Sequence, residues 1–550
     1  MFKQNNFYID NKKLDLLFIL ILICYCMALF IPILRNDDSV LYANIGKNMI
    51  LARSWFLLYH PFGINWLDKP HFPYWLIASV FTLFGVKSFN YVLIGMLFNF
   101  LGGYYTYKFA LIMYKDKLLA KLSALILLSS FHIYFSATID IRAEVYLIGT
   151  IIPSCYYLYK IVYLSKYTMG NLLLSSIFAA FAIMTKGVFP LITIYSILIP
   201  LIISDKFYKI ILIVMIHFSL TIVFLAPEII ALYLQFNSHT GYSDFYAIKW
   251  FLWDSQLGRF FNNGVITRQN IGFEHYFFYI HTYLWAILPW TLVFIFYLKY
   301  MLQNWTKVLL QDKILFSGFG ITFLLFSISK FQLDYYINIL VPFSSILSAK
   351  YLLQINSNSV IIRSVTNYIL SIVSILLFLL LFYITIIHNL WLVLIFILLI
   401  LAITISLLIL FNYFQQFVCS CIIFINAILL LIFIFYGIIY IQYEAGYNIA
   451  KYINQDNSIN KIIDYQVNNL PLEFYANKNY KNIQQFSDVI IESKPYYLVI
   501  KYKDISLFAK ESNEIRTYSN ITMDKVLPYL LNFNQQITND NKLFLIKVDK

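Results

Sequence analysis

A chain of 550 residues in which 61% are apolar and only 12% charged, with a mean hydropathy of +0.72, cannot fold as a soluble globule, because too little polar surface is left to face water. Its formal charge of +13 would point to nucleic acid in a soluble protein, but Lys and Arg stand in short loops between apolar runs, where they set topology, and nucleic acid is excluded as a partner. The five cysteines, Cys24, Cys26, Cys155, Cys419 and Cys421, all fall inside apolar runs, so the exposed segments have no disulfide framework and redox chemistry has no support.

A helix needs about 20 apolar residues to cross roughly 30 Å of hydrocarbon, and such runs recur from Leu14 to Tyr440. The first, residues 14–34, follows Lys3, Lys12 and Lys13, which places the N-terminus in the cytoplasm. It lacks a small-residue cleavage site and reads as a retained helix. Residues 35–90 mix apolar and charged positions as interfacial helices do, with Trp55, Trp66, Tyr74 and Trp75 as anchors, and form a first outer loop.

Further spans are expected at 91–111, 118–137, 144–158, 172–184, 188–203 and 210–232, then a long outer loop at 233–274. Spans at 276–298, 314–328, 335–352, 365–387, 390–411 and 417–440 bring the total to about thirteen. In this register Lys108, Lys115, Lys117, Lys121, Lys160, Lys166, Lys206, Lys209, Lys299, Lys307, Lys313 and Arg363 all face the cytoplasm. The expected fold is thus an α-helical polytopic membrane domain over 1–441 and a small α/β domain over 442–550 on the outer face, where 496–501 and 543–548 alternate like strands.

Ionisable residues near membrane helices are costly unless they face water or a partner, so they are functional candidates. Here Asp37, Asp38, Asp68, Lys69, Asp140, Arg142, Glu144, Lys186, Arg259, Lys330 and Asp334 all fall at outer helix ends or in outer loops. A cavity mixing carboxylates with cations suits transfer from a lipid phosphate: cations stabilise an anionic leaving group, and a carboxylate orients or deprotonates an attacking hydroxyl.

The local sequences around these residues are more specific. Asp38 with Tyr42-Ala43, Ile45 and Met49 resembles the first-loop motif of the lipid A aminoarabinose transferases and bacterial protein-mannosyltransferase-like enzymes, polyprenyl-phosphate-sugar glycosyltransferases of the C-type fold. Asp68-Lys69-Pro70-His71-Phe72-Pro73-Tyr74-Trp75 is similar to that family's acidic-Lys-Pro-Pro-x-Pro-Tyr-Trp signature, with His71 where the second Pro usually stands. Arg142-Ala143-Glu144 resembles its Arg-Thr-Asp, and Thr185-Lys186-Gly187, Arg259-Phe260, Phe277-Phe278-Tyr279 with Leu288-Pro289-Trp290, and Ser329-Lys330 with Tyr336 and Pro342 follow in the family's order.

The resemblance implies an inverting transferase of the bacterial inner membrane that moves a sugar from an undecaprenyl-phosphate donor to lipid A or another envelope acceptor at the periplasmic face. It gives Asp38, with Asp37 beside it, the role of the acid that activates or holds the acceptor, and Glu144 that of a second carboxylate, with Asp140 as a substitute. Lys69, Lys186, Arg259 and Lys330 would bind the donor phosphate, and Asp68, Arg142, Tyr42 and Tyr336 would line the substrate cavity. Relatives that transfer aminoarabinose hold zinc between the acidic residue of the Lys-Pro motif and a loop His. Here that loop position is Gln256, and His71 or His275 as stand-ins do not make a four-ligand site, so no zinc and no other cofactor is expected, though a divalent cation stays open. Taken singly, Asp37-Asp38 reads as a helix cap, Lys69-Pro70 as an interfacial turn, and Lys186 as a snorkelling residue. A protein O-glycosyltransferase of the same fold and a lipid or glycan flippase are the alternatives, the second without the internal repeat or midplane charges of a transporter.

Overall fold

The computed structural model describes residues 11–34, 37–59, 69–166, 168–201, 207–239, 249–263, 274–354, 360–391, 413–508, 514–522, 525–530 and 537–548, with isolated positions 267, 395 and 398. Its N-terminal part is helical: α1 (Asn11–Ala28), α2 (Asp38–Leu51), α3 (Phe72–Phe84), α4 (Ser88–Tyr114), α5 (Lys117–Leu128), α6 (Phe131–Thr138), α7 (Ala143–Val162), α8 (Met169–Lys186), α9 (Pro190–Ser196), α10 (Phe207–Phe224) and α11 (Ala226–His239). Among the described residues seven helices are long and apolar enough to cross a membrane, or eight if the bent pair α5–α6 is one span. This is a polytopic α-helical membrane protein.

Hydropathy foresees about thirteen crossings, and the structure shows why fewer helices qualify. Several apolar runs are broken: α5 and α6 meet at 58°, and the run at 276–298 is two helices, His275–Ala286 and Thr291–Gln303. Pro289 between them cannot donate to a helical ladder. The expected span 390–411 lies almost wholly outside the described residues.

Local signals place the helix ends that matter. Asp37 caps α2, its carboxylate accepting the Ser39 N–H at 3.2 Å. Pro73 sits in the first turn of α3, where its missing N–H costs nothing. Glu144, in the first turn of α7, is favoured there by the helix dipole. Helix α8 stops because Gly187 adopts φ +81°, a conformation closed to most side chains, and this turns Lys186 into the bundle. Small residues bring α4 and α7 together: a Cβ on Gly149 would meet the Phe98 carbonyl oxygen at 2.6 Å.

Away from these ends, Asp312 opens the helix Leu310–Ile328 fully buried, accepting the Tyr114 hydroxyl at 2.6 Å and pairing with Lys350. This pair joins α4 to the helices Leu310–Ile328 and Val341–Gln354 in the interior, where an unpaired charge would be costly.

The C-terminal domain is a five-stranded mixed sheet of order β2-β1-β3-β5-β4, from β1 (Lys461–Tyr465), β2 (Asn479–Ile483), β3 (Tyr496–Lys501), β4 (Glu514–Ser519) and β5 (Lys542–Val548). β1 runs parallel to β2 and β3, and β5 antiparallel to β3 and β4. Its helix Leu470–Tyr475 docks on α2. Asn44 donates to the Leu470 carbonyl at 3.0 Å, and the Lys47 ammonium donates to the carbonyls of Glu473, Phe474 and Ala476 at 2.6, 3.0 and 3.1 Å.

Candidate functional site

Four ends meet at one place: the start of α2, the α6–α7 junction, the end of α8 and the short 3-10 helix Asp334–Leu340. Arg142, just before α7, is the hub. Its Nη1 reaches Asp38 at 2.9 Å, its Nη2 reaches Asp37 at 3.3 Å and Asp140 at 2.9 Å, and its Nε donates to Asp140 at 3.0 Å. The fork geometry of a guanidinium makes three carboxylates on one cation possible. Asp38 is the most open of the three, its side chain 36% exposed against 28% for Asp37 and 9% for Asp140.

Tyr335 joins this cluster to a second one. The Arg142 guanidinium lies 4.4 Å from the Tyr335 ring centre and the Lys186 ammonium 5.2 Å from it. Lys186 also stands 3.6 Å from the Tyr336 ring centre, a cation–π contact, and forms an ion pair with buried Glu144. The two groups therefore divide the carboxylates, with Asp37, Asp38 and Asp140 around Arg142 and Glu144 on Lys186.

Behind them lies a cavity of about 700 Å³, part of it open, lined by Lys69, Glu144, Lys186, Gln256, Arg259 and Tyr336 among others. The Tyr336 hydroxyl lies within hydrogen-bonding reach of Arg259 and feels the charge of Lys69. Burial pushes the Lys69 ammonium below the ordinary lysine range; the nearby Tyr336 and Asp38 oppose that shift and Arg142 reinforces it. An anion placed among Lys69, Lys186 and Arg259 would relieve their mutual repulsion. Phe189 lines both this cavity and an apolar groove of about 1380 Å³ walled by residues of α9 and α10, including Leu191, Ile210, Val214 and Met215.

Of the residues singled out in the sequence, Asp37, Asp38, Asp140 and Arg142 form one cluster, and Glu144, Lys69, Lys186, Arg259 and Tyr336 share the cavity. Tyr42 is buried beside Asp38 and packs edge-on against Tyr74 at 5.5 Å. Asp68 lies outside the described residues. Lys330 is not in the cavity wall: its side chain is exposed and its N–H donates to the Phe260 carbonyl at 3.1 Å. Sequence reasoning missed Tyr335 as the bridge and Glu228 altogether. A second aromatic beside Tyr336 was the visible signal for the first.

The described residues do not fit the zinc ion of the relatives. Gln256 offers a carboxamide where the resemblance would need an imidazole, and its head group packs against Gly187, so that a Cβ there would meet Nε2 at 2.5 Å. His71 spends both ring nitrogens elsewhere, on Glu228 at 2.9 Å and on the Phe56 carbonyl at 3.0 Å. Among the described residues no group of three or more His, Cys, Asp and Glu side chains is placed to hold a metal. No step below runs through one.

Residues 68–231 match the family model described as dolichyl-phosphate-mannose-protein mannosyltransferase. In sequence the chain is 23% identical over 288 residues to the undecaprenyl phosphate-alpha-4-amino-4-deoxy-L-arabinose arabinosyl transferase 1 of Proteus mirabilis, covering 51% of this chain and 49% of that one. The corresponding transferase of Serratia proteamaculans is 24% identical, over 58% of this chain and 56% of its own. The chain is homologous to these sugar transferases. It spans about half the length of the relatives it matches in sequence, 49% for the first. The fold agrees over more of the molecule: ArnT from Cupriavidus metallidurans bound to undecaprenyl phosphate superposes with a TM-score of 0.72 at 15% identity, over 97% of both chains. Within the transferase-like segment 68–231 fall Lys69, Asp140, Arg142, Glu144 and Lys186, whereas Asp37, Asp38, Arg259 and Tyr336 lie beyond it in sequence yet join the same site in space.

Proposed function

We propose that the chain is a membrane glycosyltransferase that moves a sugar from an undecaprenyl-phosphate-linked donor to lipid A or another envelope acceptor at the periplasmic face of the inner membrane. The observation that carries this reading is that a cationic cavity, lined by Lys69, Lys186 and Arg259, adjoins an apolar groove, Phe189 being a wall of both. A ligand that is a phosphate at one end and a hydrocarbon chain at the other matches that sequence of surfaces. The names of the relatives, which carry undecaprenyl phosphate, point the same way.

In this reading the acceptor hydroxyl attacks the anomeric carbon while the bond from that carbon to the phosphate oxygen breaks. The polyprenyl phosphate leaves with its electron pair, and Lys69, Lys186 and Arg259 stabilise the growing charge. Asp38, the most open of the three carboxylates on Arg142, takes the hydroxyl proton or fixes its direction, held in place by that arginine. Glu144 sits too deep for that and instead orders Lys186. The same reading takes about thirteen crossings, several of them through the broken helices, with the C-terminal domain outside.

The experiment compares lipid A mass spectra from cells with and without the gene, and with Lys69→Ala or Asp38→Ala restored. The expected result is a sugar-sized increment that only the wild-type protein restores, with activity down at least about 1,000-fold in the variants. Full activity in both variants would refute the site. An unchanged lipid A spectrum with the protein expressed would move the acceptor to protein or polysaccharide.

A further inference from the structure

His71 and Glu228 are both 0% exposed, and neither lines the cavity. His71 precedes α3, and its backbone N–H donates to Glu228 Oε1 at 3.2 Å and Oε2 at 3.1 Å. Its ring makes two more bonds, Nδ1 to Glu228 Oε1 at 2.9 Å and Nε2 to the Phe56 carbonyl at 3.0 Å. A carbonyl only accepts, so Nε2 donates to Phe56, and Nδ1 and Glu228 share a proton at their contact. The ring is thus engaged on both sides and closed on Glu228 in a fully buried site. One residue ties the first loop at Phe56, the start of α3, and α11.

We propose that His71 and Glu228 form a positioning pair that sets Lys69 at the right distance from the apolar groove, so that a polyprenyl phosphate can engage cation and groove together. The inference rests on the function proposed above. Lys69 stands two residues before His71, separated by Pro70, whose ring fixes the backbone between them. Glu228 stands in the first turn of α11, which continues from α10 across Leu225, and α10 supplies the groove wall through Ile210, Ile211, Val214 and Met215. The pair is a direct bond between the segment holding the phosphate-binding lysine and the element leading from the groove. A proline at position 71, as in the motif this segment resembles, would have neither the N–H nor the imidazole, and would strip a buried carboxyl group of these partners.

An effect on alignment differs from a general structural role in what it does to ligands of different length. A ligand that touches only the cations does not sense the distance to the groove, whereas one that spans both does. The test uses the full chain in nanodiscs and measures binding of undecaprenyl phosphate and of a short isoprenyl phosphate to the wild type, Glu228→Gln, His71→Ala, His71→Asn and Glu228→Gln/His71→Ala. Glu228→Gln keeps the shape and removes the charge, which guards against loss of folding in the alanine variants. The expected result is that Glu228→Gln weakens undecaprenyl phosphate at least about tenfold and the short phosphate less than about twofold. His71→Asn, whose amide still donates to Glu228, recovers part of the loss seen in His71→Ala, and the double variant is no worse than the worse single one because either change empties the pair. Equal weakening of both ligands, or none, in a folded Glu228→Gln protein would overturn the positioning role. Lys69→Ala is the separate control: if it binds both phosphates as the wild type does, the cavity assignment fails, whatever the pair does.

Discussion

Arg142 carries more of the site than any carboxylate it holds. Asp37, Asp38 and Asp140 would repel one another if brought together without it, and their side chains converge within 3.3 Å of one guanidinium. Lysine has the charge but not the fork, and cannot meet three oxygens in plane while lying over Tyr335 at 4.4 Å. Arg142→Lys is therefore expected to lower transfer on the order of 100-fold with the protein still inserted and folded. Arg142→Ala should also lower thermal stability, by about 3 kcal/mol, because it removes the cation that three partly buried carboxylates share. Transfer assays on protein matched by size-exclusion elution separate the two effects. At this scale the sequence was informative where a charge stood next to a membrane helix, because such a charge must be explained. The same rule applied to Glu228, a charge inside the expected span 210–232, but its partner stands 157 positions away in sequence, and Tyr335 was one tyrosine among 46.

Helix ends, more than helices, build the site, and an end is decided by one or two residues. Gly187 shows this best. Its φ of +81° ends α8 one residue after Lys186, and the head of Gln256 fills the space where a side chain would project. Gly187→Ala therefore faces both a strained backbone and a collision. It is expected to displace Lys186 or the turn carrying Gln256, cutting transfer at least about tenfold with a stability loss of about 1–3 kcal/mol. If donor KM and kcat both stay at wild-type values in a folded Gly187→Ala protein, the close approach has no part in the site. Hydropathy located the apolar runs but not their breaks, because a window average is the same for a straight helix and for two pieces meeting at 58°, as α5 and α6 do. Broken helices are also what free backbone and side chains to face a cavity.

At the scale of the whole molecule, the C-terminal domain and the candidate site are mechanically linked, since α2 begins at Asp38 and is gripped near its other end through Lys47. Two carboxylates at or near that junction are buried. Burial pushes Glu473, which faces Asn48 and Lys47, up to about 7, and pushes Glu444, which accepts the Gly446 and Tyr447 N–H groups and the Asn469 amide, up to about 7 as well. Lys47 is lowered by burial to about 8 and so keeps its charge at neutral pH. The sign follows from proton counting. Between the usual glutamate value of 4.5 and about 7 the docked state holds more protons than the undocked one, so docking weakens as pH rises through that window and is strongest below it. Hydrogen exchange in the helix Leu470–Tyr475 is the measure: its protection, corrected for the intrinsic rate, should fall from pH 5 to pH 7.5. In Glu473→Gln the fall should be smaller, because a neutral amide keeps the shape and removes one of the two titrations. A flat profile in the wild type would mean that these carboxylates stay ionised when docked, and that Lys47 and its three carbonyl bonds hold the domain without help from a buried proton.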